Sequence, residues 1–389
     1  MCEIGKTSLS LVLLIFIGGS GYIFLIEYLD NIRKPKDLIR SWNWEIQNWK
    51  APTEDKQINN GGPESDQNWQ KVEGMKNHKF YVYSAYYDIR PGIYRNKYDM
   101  RPAVRIIGVT RTRKSDAVTC RMYFEHDKGQ DYLSIKEEVN NIPAHITTKI
   151  KSFRDVPGKI SIIWGHHQKQ YSACFVLCPL PISYNFIPTF ISVVPVSLNQ
   201  TKVSNILSVL NSENGGTGSY EVQRKNLAVC VKPIRSHYNQ TLNLIEFLEF
   251  NKILGVSKFI FYNLTMSHEI DCILDFYKTK DNSVTILQWD LLKIDPHLDL
   301  HDTGGLAARN DCLYRSMNDF KYLMMTDLDE FIVPRQHENI VNMIDYLNTI
   351  NPNAEVKFMS RNLSTITSYN FKNAFFYLHY GKYNTTMRL

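Results

Sequence analysis

Two hydrophobic periodicities divide the chain. From about residue 221, short apolar runs alternate with longer stretches that repeat every three to four positions, as strands interleaved with helices do. The runs 227–231, 259–262, 284–287 and 322–326 have the length of buried strands. Between them, residues 242–254 predict a helix whose polar positions Asn243, Glu246, Glu249 and Lys252 recur at spacing three, with Gly255 where a helix C-terminal glycine belongs. Further helices are predicted over 270–277, 307–320 and 340–347. Strands joined by helices imply a mainly parallel sheet with helices on both faces, and ligands at the carboxyl ends of its strands. Residues 76–220 follow a different rule. Their β-branched and aromatic runs at 80–87, 103–110, 118–124, 160–164, 173–177 and 190–196 are separated by charged turns and predict a β-rich unit. The glycine-rich stretch 211–218 predicts a flexible linker between the two.

The N-terminus fits neither pattern. Residues 7–26 carry no charged side chain, and 20 helical residues span about 30 Å, one hydrocarbon thickness. The apolar run continues past Gly18, Gly19, Ser20 and Gly21 to Ile26, which favours an uncleaved anchor over a cleavable signal. The expected organisation is a cytoplasmic tail (1–6), a transmembrane signal anchor (7–26), a stem (27–75) bearing Trp42, Trp44, Trp49 and Trp69, a β-rich accessory domain (76–220) and an α/β domain (221–389) expected to be incomplete at its C-terminus. Lys6 alone precedes the anchor while Arg33, Lys34, Lys36 and Arg40 follow it, which by the positive-inside tendency opposes a lumenal C-terminal part. Cysteines and glycosylation sequons argue for the lumen. Cys120, Cys174, Cys178, Cys230, Cys272 and Cys312 are an even set of unknown pairing, and N-x-S/T sites occur at Asn199, Asn239, Asn263, Asn362 and Asn384. The expectation is a single-pass type II membrane protein of the Golgi or endoplasmic reticulum with its folded part lumenal.

Composition narrows the class further. Aromatic residues at 12% and charged residues at 22% are globular values. The net charge of +6 is not gathered into a Lys/Arg block, which argues against a nucleic-acid partner. The strongest chemical signal is an apolar strand, 321–326, ending in Asp327-Leu328-Asp329-Glu330. In extended backbone, positions i and i+2 face one side, so Asp327 and Asp329 would present two hard carboxylate ligands to Mn²⁺ or Mg²⁺, with a nucleoside diphosphate completing the shell. Such a cation would neutralise a departing diphosphate. A phosphohydrolase could use the same pair, but Glu330-Phe331 stands where its motif expects Thr or Val.

The chain resembles glycosyltransferase family 92, formerly a domain of unknown function. The resembling stretches are Cys230-Val231-Lys232-Pro233-Ile234, residues 244–256, Asn310-Asp311-Cys312-Leu313-Tyr314-Arg315 and the Asp-Leu-Asp-Glu-Phe segment, with upstream likeness at 81–88 and 104–107. The resemblance implies a GT-A-like fold and an inverting, manganese-dependent transfer of a hexose, galactose from UDP-galactose, onto a glycan acceptor. Carried onto this sequence, it makes Asp327 and Asp329 the metal ligands and catalytic centre. Lys232, Arg235, Asn310 and Asp311 become contacts to the UDP-sugar donor. Asp290, Asp295, Asp299, His301 and Asp302 are read as a solvated acidic loop, and His166-His167 as an exposed turn. The alternative is a lumenal relative that binds nucleotide or glycan without transfer.

Overall fold

The computed structural model describes residues 68–75, 78–89, 102–113, 117–125, 133–134, 149–180, 186–196, 203–212 and 225–350. The N-terminal half builds strands β1 (Gln70–Lys71), β2 (Tyr81–Asp88), β3 (Ala103–Arg111), β4 (Val118–Phe124), β5 (Leu133–Ser134), β6 (Ser152–Ile162), β7 (Tyr171–Pro179), β8 (Phe190–Pro195) and β9 (Leu207–Leu210). Strands β2, β3, β7, β6, β4, β8 and β9 pair in that order, and β9 pairs back to β2, closing a seven-stranded barrel. All its pairings are antiparallel except β2 with β9. Closure leaves no open edge in the ring. Val82, Val104, Ile106, Met122, Val176 and Val193 fill the interior. A disulfide, Cys120–Cys178, ties β4 to β7 across β6. Gly158 on β6 makes that crossing possible, since a Cβ there would stand 2.7 Å from the Cys120 sulfur.

The C-terminal half comprises β10 (Lys225–Val231), α1 (Thr241–Ile253), β11 (Lys258–Asn263), α2 (His268–Asp281), β12 (Val284–Gln288), α3 (Leu291–Ile294), α4 (Gly305–Ser316), β13 (Phe320–Thr326) and α5 (Ile340–Ile350). Its four strands are parallel, in the order β12-β11-β10-β13. Side chains alternate across them. Val229, Phe259, Phe261 and Met324 meet the apolar faces of α1, α2 and α5. Cys230, Ile260, Tyr262 and Leu287 point to the other side. There they meet α4 and the outer wall of the barrel, through Tyr81, Tyr83, Tyr86, Val109 and Ala173. A second disulfide, Cys230–Cys312, pins β10 to α4.

This architecture corrects the expected fold class, an α/β GT-A-like domain with helices on both faces of a mainly parallel sheet, preceded by a β-rich domain and an N-terminal transmembrane helix. The largest unit is the closed, mainly antiparallel barrel, and among the described residues the parallel sheet has four strands. One of its faces is covered by the barrel and α4 together rather than by a helical layer. The physical reason lies in β2. A bulge between Val82 and Ser84 makes Tyr83 and Ser84 project to the same outer side, so β2 is buried on both faces and serves two cores at once. The expected membrane helix, residues 7–26, lies outside the described residues; among the described residues no helix is long and apolar enough to cross a membrane. The linker read at 211–218 also falls largely outside them; Asn211 accepts a hydrogen bond from the Tyr87 amide at 2.9 Å. Trp69, placed in the stem by sequence, is buried against Tyr83 and Trp289, with ring centroids 5.0 and 4.9 Å away.

Helix α1 yields a pH prediction. Burial pushes the Glu246 carboxyl up to about 7. A carboxyl raised in the folded state favours folding while protonated, so stability declines as pH rises from the ordinary carboxylate range to about 7. The side chain is only half-buried, and solvent screens much of the effect. Glu246→Gln is expected to be neutral near pH 4 and to stabilise by on the order of 1 kcal/mol at pH 8. Urea midpoints at the two pH values check this.

Candidate functional site

The parallel register sets the site. Val231, the last residue of β10, pairs with Thr326, the last of β13, so Lys232 and Asp327 leave neighbouring strands side by side at the carboxyl edge of the sheet. The Lys232 ammonium stands 2.6 Å from Asp327 Oδ2. The chain then turns. The Glu330 amide donates to the Asp327 carbonyl at 3.2 Å, and Glu330 Oε2 accepts from the Asp327 amide at 3.0 Å. Asp327 and Asp329 are therefore held by a turn closed by Glu330, not by the extended backbone that sequence reasoning assumed. Asp329 is exposed and faces Tyr238. Burial first, and the Asp329 charge second, push the Tyr238 phenol up to about 12, so it remains a hydrogen-bond donor there at neutral pH.

Unsatisfied acceptors gather along this edge. Asp327 Oδ1 is buried with no hydrogen-bond partner, as are Thr326 Oγ1, Asn263 Oδ1 at the end of β11 and Asp290 Oδ1 just past β12. Native proteins leave few such groups unpaired, and water, an ion or a ligand completes them. Among the described residues no group of three or more His, Cys, Asp or Glu side chains is placed to hold a metal. The carboxylates of Asp327 and Asp329 nevertheless suit a hard divalent cation that takes its remaining ligands from phosphate and water. The unpartnered Asp327 oxygen is the observation that fits such a cation.

The other predicted residues fall in different places. Arg235, exposed beyond β10, lies 4.0 Å from Asp302 at the same edge. Asp302, Thr303 and Gly304 are all left-handed, at φ 48°, 50° and 84°, where the chain turns into α4. A Cβ at Gly305 would sit 2.7 Å from Asp302 Oδ2, so a larger residue there would displace that carboxylate. Asn310, one turn into α4, donates its amide to the Leu306 carbonyl at 2.7 Å. Asp311 is fully buried and removed from the edge. It accepts from Ser84 Oγ and Tyr86 Oη of the barrel at 2.5 Å each, from Tyr262 Oη of β11 at 2.7 Å and from both Nε and Nη2 of Arg315 at 3.1 Å. The structure thus brings Lys232, Arg235, Asp327 and Asp329 to one edge, and gives Asp311 to the junction between barrel and sheet.

The acidic loop divides likewise. Asp295 accepts from Lys79 and Tyr81, and Asp299 accepts from Lys169 and the Gln170 amide, so both fasten the loop to the barrel. Sequence reasoning missed Tyr238, which lies in the connection from β10 to α1, and took Asn263 only as a glycosylation sequon. For Asn263 its position at the end of β11 was the available signal.

An ammonium group paired with one carboxylate, Asp327, and a second, Asp329, two residues on at the carboxyl edge of a parallel sheet define a site suited to a phosphate ester and its counter-cation. Comparison with known proteins gives the class. Residues 225–389 match the family model of glycosyltransferase family 92. The chain is 25% identical over 158 residues to a glycosyltransferase family 92 protein of Caenorhabditis elegans, covering 39% of this chain and 31% of that protein. It is 28% identical over 111 residues to the beta-1,4-galactosyltransferase galt-1 of Caenorhabditis elegans, covering 28% of this chain and 25% of that one. The chain therefore spans a third or less of the length of these curated relatives. The match to glycosyltransferase family 92 is carried by residues 225–389, and its upstream boundary coincides with the start of β10.

Proposed function

We propose that this chain transfers a hexose from a nucleoside diphosphate sugar to a glycan acceptor, with galactose from UDP-galactose as the donor sugar and with inversion at the anomeric carbon. The observation that carries this reading is the Lys232–Asp327 pair with its unpartnered Asp327 oxygen, at the strand ends of the family-matched segment. The name of the galactosyltransferase relative supports galactose.

In the reaction, an acceptor hydroxyl oxygen bonds to the anomeric carbon as the carbon–oxygen bond to the diphosphate breaks, and the hydroxyl proton passes to a base. A bound Mn²⁺ or Mg²⁺, held by Asp327 and Asp329, would supply charge neutralisation for the departing diphosphate. Lys232 adds a compact cation for the phosphate oxygens. Arg235 stands further along the same edge. The Tyr238 hydroxyl and the acceptors Asn263 and Asp290 are suited to the hydroxyls and N–H groups of a nucleoside. The Cys120–Cys178 and Cys230–Cys312 disulfides support a secretory, lumenal setting, where such bonds persist.

The test is UDP release by the purified full chain from UDP-galactose, with a mixed glycan acceptor, in Mn²⁺ and in EDTA. Mn²⁺-dependent release is expected. Calorimetry should show Lys232→Ala binding UDP about 10-fold or more weakly, the loss of one charge-assisted hydrogen bond, with partial recovery in Lys232→Arg. Equal UDP affinity in wild type and Lys232→Ala rejects this site.

A further inference from the structure

The barrel contributes a loop to the same region. Between β6 and β7, Trp164 is 91% exposed, far more than any other large hydrophobic side chain among the described residues. A lone exposed apolar residue is ordinary on a flexible loop. This loop is held at many points. Gly165, His167 and Gln168 are left-handed at φ 108°, 48° and 61°, and the Lys169 amide closes the turn onto the His166 carbonyl at 3.0 Å. The His167 ring stacks on His301 with centroids 3.9 Å apart. Lys169 Nζ reaches Asp299 at 2.8 Å, the Gln170 amide donates to the same carboxylate at 3.1 Å, and Tyr171 bridges to Leu300. A Cβ on Gly165 would lie 3.8 Å from Leu306 in the first turn of α4.

These contacts fix the loop against 299–306, the segment whose Asp302 stands 4.0 Å from Arg235 at the sheet edge. An exposed indole, on a loop anchored to the segment that reaches the proposed donor site, presents a flat face of negative potential to the C–H groups on one face of a pyranose. A loop backbone already ordered keeps the ordering cost of binding low.

We propose that the loop between β6 and β7 is an acceptor-binding element, in which Trp164 stacks on a pyranose ring of the glycan. This rests on the transferase reading above. It assigns donor binding to the parallel sheet and acceptor binding to the barrel, so that each reacting partner is held by a different half of the molecule.

The experiment uses the full chain with three probes, methyl β-D-galactopyranoside, chitobiose and N-acetyllactosamine, at millimolar concentration. The difference in acrylamide quenching of tryptophan fluorescence between wild type and Trp164→Phe reads Trp164, because the other five tryptophans are common to both proteins. At least one saccharide is expected to protect the exposed indole in the wild type. Trp164→Ala should bind that saccharide about tenfold more weakly by NMR titration, the effect of deleting an interfacial aromatic anchor. Trp164→Phe should retain part of the affinity, and UDP affinity should be unchanged in both variants. Equal saccharide affinity in wild type and Trp164→Ala, or no protection by any of the three, overturns the proposal. Saccharide binding through Trp164 without UDP binding supports it and rejects the donor-site reading instead.

Discussion

Replacing Asp311 with alanine is expected to destabilise the fold by about 3–5 kcal/mol, the cost of breaking a buried ion pair by removing one partner. The carboxylate is fully buried and accepts hydrogen bonds from Ser84, Tyr86, Tyr262 and Arg315, which belong to β2, β11 and α4. Its removal leaves the largely buried Arg315 charge without its counter-ion and three buried hydroxyls without an acceptor. The Arg315 guanidinium also lies against the Tyr86 ring, 5.9 Å from its centroid. Urea unfolding followed by circular dichroism measures the loss. A double variant, Asp311→Leu with Arg315→Met, separates pairing from packing. It should recover much of the stability, because removing both charges avoids the uncompensated ion. If Asp311→Ala unfolds at the wild-type urea concentration, the junction is held by apolar packing alone.

The same cluster sets an alkaline limit. Burial holds the hydroxyls of Tyr83, Tyr86 and Tyr262 protonated well above their ordinary value, with the Asp311 charge acting in the same direction. A phenol raised in the folded state stabilises fully below the unfolded value near 10 and loses that contribution as pH rises above it. Stability should therefore be flat in these groups through neutral pH and fall beyond about pH 10.

The second large effect is on activity. On the proposed function, Asp327→Ala is expected to lower sugar transfer by about 100-fold or more, since it removes a metal ligand and the partner that positions Lys232. Its effect on stability should be small. The Lys232 and Asp327 side chains are 42% and 32% exposed, and ion pairs of that kind contribute about 0–1 kcal/mol. Asp329→Ala should instead raise the Mn²⁺ concentration needed for half-maximal transfer while sparing UDP binding in the absence of metal. Initial rates of UDP release across a Mn²⁺ series, with urea midpoints of the same samples, distinguish the two variants. Transfer by Asp327→Ala at the wild-type rate, in protein of wild-type stability, sinks the assignment of Asp327.

The opposite fates of Asp311 and Asp327 show where sequence reasoning stops. Both are acidic residues in stretches that resemble one family, and both were assigned to the donor site. Asp327 follows an apolar strand, and strand ends of a parallel sheet are exposed whatever else packs around it, so its position could be inferred locally. Asp311 lies on a helix, and which face of α4 is buried depends on what covers the sheet. That cover is β2, more than 220 residues earlier in the chain. Its bulge turns Tyr83 and Ser84 to one side, and no local periodicity predicts the contact.

The sequence by itself determined the alternating elements from β10 to α5, the β-rich character of the first half, and the strand-end placement of Lys232, Asp327 and Asp329. Period and strand length decide such features within a few residues of chain. Only the tertiary structure decided that the first half closes into a barrel, that this barrel covers one face of the parallel sheet, and that Asp311 joins the two. Closure and layer packing depend on pairing residues far apart in sequence, and a strand buried on both faces carries no alternation to reveal its partners.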